Sequence, residues 1–148
     1  MTISKTRLEK INITCVNLNL KKLSRTIGTI YDRKLAEAGL TINQFSILSY
    51  ISYFDKISLG LLAKELMMDR TTLSKNLKPL FRDGFITLVS ENDKRKKNLA
   101  LTTKGSLLLE KTLSLWSEAQ NDIYKSYGKR EIHNLLKLLH GLMETEKK

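Results

Sequence analysis

The sequence contains only one cysteine, Cys15, in a chain of 148 residues. A single thiol excludes an intramolecular disulfide framework and a cysteine-rich zinc site. The two histidines, His133 and His140, lie on one predicted helix with no further metal ligands at a suitable spacing. We therefore expect neither a metal nor a cofactor.

Proline and glycine are scarce too, with one proline, Pro79, and seven glycines. This composition favours long helices and argues against an all-β fold. No apolar run approaches the ~18 residues of a membrane span, and residues 1–14 are too polar for a signal peptide. With 41% hydrophobic and 28% charged residues, we expect one folded cytoplasmic domain over residues 1–148.

Acidic residues are the minority charge, since 15 Asp and Glu stand against 26 Lys and Arg, giving a net charge of +11. Such an excess indicates a polyanionic partner. Residues 58–102 are predicted to form helix, turn, helix, strand, basic loop and strand, with basic residues placed on one helix face and in one loop. That order is typical of a winged helix-turn-helix protein, whose second helix enters the DNA major groove.

The second predicted helix of this segment, residues 70–83, has two distinct faces. Leu73, Leu77, Leu80 and Phe81 fall in one arc, and polar or basic residues occupy the opposite side. The basic loop of the wing follows. The candidate DNA-contacting residues are Arg70, Thr71, Thr72, Ser74, Lys75, Lys78, Arg82, Lys94, Arg95, Lys96 and Lys97. Thr71 and Thr72, with Arg70, are the candidate base readers at the helix start. Lys78 and Arg82, further along, are the candidate phosphate contacts.

Helices are predicted on both sides of residues 58–102, at residues 14–38 and 44–54 before them and at residues 103–127 and 131–144 after them. Within residues 58–102, the first helix is predicted at residues 59–66 and the strands at residues 85–90 and 99–102. The first and the last two helices carry more apolar surface than one winged helix can cover. They either hold two copies together about a two-fold axis or only cap the core of a monomer. The predicted fold class is mainly α with a small β-hairpin wing.

The chain resembles the MarR family of bacterial transcription regulators over nearly its whole length, and most of all the branch with a cysteine in the N-terminal helix. The segments that carry the resemblance are residues 35–41 (LAEAGLT), 69–73 (DRTTL), 80–86 (LFRDGFI), 93–95 (DKR) and 99–105 (LALTTKG). The resemblance implies an obligate homodimer on a palindromic DNA operator. Residues 39–102 would form the DNA-binding lobe, and residues 1–38 and 103–148 the dimerisation helices.

The resemblance also implies roles for single residues and a mode of control. Arg95 would enter the minor groove from the wing tip, with Asp93 orienting it. Family members usually repress their own and neighbouring genes until an oxidant or a small effector, anionic or aromatic, releases them. An effector pocket would be lined by aromatic side chains, although aromatics at helical spacing also fit a core; these are Tyr31, Phe45, Tyr50, Tyr53 and Phe54.

Cys15 is compatible with two roles. A free cysteine is often a small, inert, buried side chain. Alternatively, a thiol near a helix start feels the positive end of the helix dipole, which favours the reactive thiolate and makes Cys15 a candidate redox sensor.

The expected function is sequence-specific regulation of transcription, most often repression in this family, and two other functions compete with it. An architectural protein would use the same basic surfaces to bind any duplex without specificity. An enzyme is not expected, because there is no Gly-rich phosphate loop, no paired carboxylates in a suggestive setting and no nucleophile motif.

Overall fold

In the computed structural model, residues 4–90 and 97–145 are described. The helices are α1 (Lys5–Thr14), α2 (Val16–Leu35), α3 (Ile42–Phe54), α4 (Leu59–Glu65), α5 (Arg70–Arg82), α6 (Thr103–Tyr127) and α7 (Lys129–Thr145), with a short 3-10 helix at Ala36–Ala38. The strands are β1 (Ile57–Ser58), β2 (Ile86–Ser90) and β3 (Lys97–Leu101). The predicted fold class, mainly α with a small β-hairpin wing, is confirmed.

The three strands form one antiparallel sheet in the order β1-β3-β2. Ile57 pairs with Leu99, and Ser90 pairs with Lys97 at the outer end of the hairpin. Strand β1 is a short edge strand that the sequence signals only weakly. Four predicted wing residues, Asp93, Lys94, Arg95 and Lys96, lie outside the described residues, and their roles stay predictions.

Four helix starts are fixed by polar side chains immediately before the first turn. Thr41 and Gln44 form a capping box at α3. Ser58 caps α4, Asp69 caps α5 and Thr102 caps α6, each accepting a hydrogen bond from a backbone amide of the first turn. Because each cap satisfies an amide that has no partner within the helix, the borders of these four helices are set locally.

The core lies where α3, α4, α5 and the sheet meet. Its fully buried side chains include Leu35, Ile47, Leu48, Ile51, Ile57, Leu62, Leu73, Leu80 and Leu99. One expectation for this region was wrong. Phe81, which shares the apolar arc of its helix with three leucines, is 38% exposed. It lines a surface cleft beside the hairpin, a neighbourhood that helical periodicity alone does not reveal.

The N-terminal region differs from the single helix predicted over residues 14–38. The chain is extended at Cys15 (φ −69°, ψ 106°), which ends α1 and begins α2. The Asn19 amide donates to the backbone carbonyls of Ile13 (3.0 Å) and Cys15 (2.9 Å) and so supports the break. The polar segment before Cys15, for which the pattern predicts no helix, is the helix α1.

The long helices carry apolar side chains that the chain itself leaves uncovered. The most exposed are Ile13 on α1 (75%), Val16 on α2 (65%) and Leu138 on α7 (68%). Neither α1 nor the described part of α7 contains a buried residue. In the part of the chain that the structure describes, no helix is long and apolar enough to cross a membrane.

Candidate nucleic-acid interface

Helix α5 is held so that one face is buried and the other is free. Leu73, Leu77 and Leu80 are buried in the core. At its N-terminus, the Asp69 carboxylate accepts hydrogen bonds from the backbone amide (2.8 Å) and the hydroxyl (2.6 Å) of Thr72. These hydrogen bonds lower the pKa of Asp69, because they stabilise its charged form. The start of α5 is thereby fixed, and its polar face points to solvent.

The exposed face of α5 forms a shallow concave surface. It is lined by Arg70, Thr71, Ser74, Lys75 and Lys78. All five side chains are exposed. They combine cationic groups with hydroxyls, the groups that bind phosphate oxygens and the edges of DNA bases. The structure therefore brings together five of the predicted site residues on one helical surface.

A cleft of about 410 Å³ separates α5 from the hairpin. Lys78 of α5 and Lys97 of β3 both line it, with Ser74. The hairpin thus adds a second element, and a sixth predicted residue, to the basic surface. The other residues that line the cleft are apolar, and none was predicted to belong to a site: Leu59, Leu77, Phe81, Leu88 and Leu99. The alternation of β2 indicates only which face Leu88 occupies, so no sequence signal identifies this cleft.

Two further candidates on α5 lie outside both concave surfaces. The Thr72 hydroxyl donates to Asp69, which leaves only its acceptor capacity for another partner. The Arg82 guanidinium donates twice to the Asp83 carboxylate, at 2.7 and 2.9 Å. This hydrogen-bonded pair raises the pKa of Arg82 and lowers that of Asp83. DNA contacts by Thr72 and Arg82 stay predictions.

The hairpin is tied to the start of α6. The Thr102 hydroxyl donates to the Gly84 carbonyl (2.7 Å), and the Lys104 ammonium donates to the Asp83 carbonyl (2.8 Å). Gly105 lies so close to the start of the hairpin that an added Cβ would stand 1.9 Å from the Phe85 carbonyl oxygen. These contacts fix the hairpin relative to α5, and therefore fix where Lys97 lies beside Lys78.

The aromatic side chains predicted to line one effector pocket are divided between two places. Tyr31 and Phe45 both stack on Trp116, and the Tyr31 hydroxyl donates to Gln120. Burial raises the pKa of Tyr31. A separate cavity at the exposed side of α3 is lined instead by Tyr50, Tyr53 and Phe54. The five aromatic side chains therefore do not line one pocket. Phe45 belongs to the core, and Tyr31, Tyr50 and Phe54 pack against it, as the alternative of core packing expects.

Cys15 is half-buried at the start of α2. The sequence predicted a position near a helix start, and the structure places it there. Its role as a redox sensor stays a prediction.

Among the described residues there is no group of three or more His, Cys, Asp and Glu side chains that could hold a metal ion.

The helix order, the sheet and the basic face of α5 define a winged helix-turn-helix protein. A sequence profile of the MarR family matches residues 38–96. The HTH-type transcriptional repressor YetL of Bacillus subtilis (strain 168) is 30% identical over 132 residues, covering 86% of this chain and 78% of YetL. This chain therefore belongs to the MarR family.

Solved structures show the same fold. The M. tuberculosis transcriptional regulator MosR in complex with DNA is 34% identical with a TM-score of 0.68, over 86% of this chain and 98% of that one. A mutant of E. coli MarR, complexed with operator DNA, has a TM-score of 0.79 over 89% and 96% of the two chains. At 24% identity, the second comparison supports the fold alone.

Proposed function

We propose that this chain is a transcription regulator that binds a palindromic DNA operator as a homodimer and represses transcription until it is released by an effector or by oxidation of its thiol. The observation that carries the proposal is the two-faced α5. Its leucines are buried in the core, while Arg70, Thr71, Ser74, Lys75 and Lys78 line one exposed concave surface. A helix held in this way fits a major groove.

The division of labour on this surface follows from chemistry. Arg70 and Thr71, at the start of α5, are assigned to base edges, which specify sequence. Lys75, Lys78 and Lys97 are assigned to phosphates, which position the protein. From the sequence alone, Lys94, Arg95 and Lys96 extend these contacts from the wing, with Asp93 orienting Arg95. The names of the relatives, a repressor and a regulator in complex with DNA, support DNA binding as the task of this surface.

The uncovered apolar side chains of the terminal helices support the dimer. A groove of about 360 Å³ runs between α2, α6 and α7. Its lining is mostly apolar: Leu20, Leu23, Ile27, Ile123, Ile132, Leu135, Leu136 and Leu139, with Ser24, Tyr31 and Gln120. Apolar surface on three helices of one chain is typical of an interface between identical copies. We therefore assign residues 1–38 and 103–148 to dimerisation and residues 39–102 to DNA binding.

Fluorescence anisotropy tests the central claim. The reduced protein is titrated into the duplex upstream of its own gene and into random duplex of equal length, at near-physiological salt. A specific regulator prefers the first by about 10³-fold or more. Equal affinity for the two duplexes, and for every other candidate operator, would contradict the proposal and favour an architectural protein.

The redox branch of the proposal is tested with Cys15→Ser. Because Cys15 is the only cysteine in the chain, any reversible thiol oxidation must begin there. Peroxide is expected to weaken operator binding by the native protein, and a thiol reductant to restore it. Cys15→Ser should bind DNA normally with and without peroxide. Peroxide sensitivity that persists in Cys15→Ser would remove Cys15 from the mechanism.

A further inference from the structure

A cleft with an unusual lining lies at the outer side of α3, where Tyr50 and Phe54 are half-buried against the core. One cavity, of about 360 Å³, is lined by Ser49, Tyr50, Tyr53, Phe54 and Glu65. A second, of about 480 Å³, shares Tyr50 and Glu65 and extends to the end of α7; it is lined by Tyr50, Glu65, Leu66, Met67, His140, Met143 and Glu144. The two cavities adjoin at these shared side chains, and we call the pair the aromatic cleft. Cavities of this size are large enough for a small organic ligand.

The charge of the aromatic cleft is opposite to that of the protein. The chain carries 26 Lys and Arg against 15 Asp and Glu. The residues that line the cleft nevertheless include two carboxylates, Glu65 and Glu144, and neither lysine nor arginine. An anionic ligand would meet those carboxylates without a balancing lysine or arginine in the lining. With two carboxylates against His140 as the basic side chain of the lining, the cleft favours a cation over an anion.

The aromatic rings of the cleft also favour a cation. The Tyr50 and Phe54 rings are nearly parallel (22°) with centroids 6.4 Å apart, and the Tyr53 ring is perpendicular to Phe54 (89°) at 5.1 Å. The Phe54 ring is therefore in contact with one nearly parallel ring and one perpendicular ring. Aromatic faces carry negative potential and attract cations, particularly beside a carboxylate.

These ring faces are not covered by a cation of the described chain. Lysines lie over two other rings, Lys104 over Phe85 (4.9 Å) and Lys129 over Tyr124 (5.9 Å). Within residues 4–90 and 97–145, no comparable contact is found at the three rings of the cleft. Tyr53 is 83% exposed. Its faces are therefore accessible to a cation from solution.

We propose that the aromatic cleft binds a small organic cation, such as an aromatic or quaternary ammonium compound. The positive group lies against Glu65 and the ring faces, and the apolar body extends toward Met143. Since the lining joins α3 and α4 of the proposed DNA-binding lobe to the end of α7, the ligand would contact both parts of the chain. Any effect of the cation on DNA affinity rests, in addition, on the proposed function.

The probe is benzyltrimethylammonium chloride, titrated calorimetrically into the full chain without DNA. Benzoate, an aromatic of similar size and opposite charge, is titrated as the comparison. Saturable binding of the cation, with no binding of benzoate over the same concentrations, is expected. Absence of saturable cation binding, including absence caused by a second copy covering the cleft, would overturn the proposal, as would benzoate binding with equal affinity.

Two substitutions locate the site. Glu65→Gln removes the charge and should weaken cation binding by about 1.5-fold to fivefold, the range for an exposed ion pair. Tyr53→Leu keeps apolar bulk and spares the core because Tyr53 is exposed. It should weaken cation binding by about twofold to fivefold. Glu110→Gln and Tyr127→Leu make the same chemical changes outside the cleft and should bind like the native protein. Unchanged affinity in both cleft variants would overturn the assignment.

The test is independent of DNA binding. Because the titration contains no DNA, its outcome does not change if the chain proves not to recognise an operator. Conversely, the anisotropy measurement with upstream and random duplex contains no organic cation. The failure of either proposal is therefore visible without reference to the other.

Discussion

Lys78 provides the sharpest test of the proposed DNA surface. It lies on α5 and lines both the concave surface of that helix and the cleft beside the hairpin. If it neutralises one phosphate, binding releases the cation condensed there, and log K changes with log salt by about −0.9 for that contact. Lys78→Ala should therefore make the slope shallower by about 0.9 for each protomer that contacts the DNA.

The salt slope for one phosphate contact also gives the loss of affinity that Lys78→Ala should cause. Between 1 M and 0.1 M salt, a slope of about 0.9 amounts to about eightfold, or about 1.2 kcal/mol, for each lost contact at 0.1 M. A dimer carries two copies of the substitution, so the expected slope change is about 1.8 and the expected loss about 60-fold. The measured slope thus also reports whether one or both protomers contact the duplex.

The assay is anisotropy of operator duplex over a series of salt concentrations, with Lys34→Ala as the matched control. Lys34 carries the same charge, but its ammonium is paired with Glu118 at 3.0 Å, between α2 and α6. Its removal should leave the salt slope unchanged. An unchanged slope in Lys78→Ala, or equal changes in both variants, would refute the phosphate assignment and indicate an effect of net charge alone.

Three further predictions concern stability and the wing. Gly105→Ala should lower the free energy of unfolding by about 1–3 kcal/mol or more, because the new Cβ would meet the Phe85 carbonyl oxygen at 1.9 Å. Gly60→Ala, with open space around its Cβ, should be neutral or stabilising in the same urea titration. The lowered pKa of Asp69 contributes stability that is present above the ordinary carboxylate pKa and is lost as pH falls through the lower folded value. Urea titrations at decreasing pH should therefore show a smaller acid-induced loss in Asp69→Asn than in the native protein. Arg95→Ala should weaken specific DNA binding by about 1–3 kcal/mol, measured by anisotropy, and an unchanged affinity would remove Arg95 from the interface.

The helices and strands from residue 41 to the start of α6 could be predicted from local signals. Thr41, Ser58, Asp69 and Thr102 all cap helices that begin close to the predicted positions. Each cap acts within three residues along the chain, so it needs no tertiary information. The break at Cys15 was missed because it depends on hydrogen bonds from Asn19 that the helical pattern does not signal.

The candidate site could be predicted in part. The two faces of α5 follow from a period of 3.6 residues, so the polar set from Arg70 to Lys78 was recognisable in the sequence. The position of Lys97 beside Lys78, and the exposure of Phe81, depend on how the hairpin packs against α5. No local pattern contains that information, because it is a relation between elements distant in sequence.

By itself, the sequence determined the fold class, the capped helices and the separation of basic from apolar residues on α5, since periodicity and capping act over a few neighbouring residues. Only the tertiary structure decided which side chains share a surface. It joined the hairpin lysine to α5, divided the predicted aromatic pocket, and placed Glu65 among three rings at the aromatic cleft. The physical reason is that burial and charge environment arise from packing between elements, which brings together residues that the sequence holds far apart.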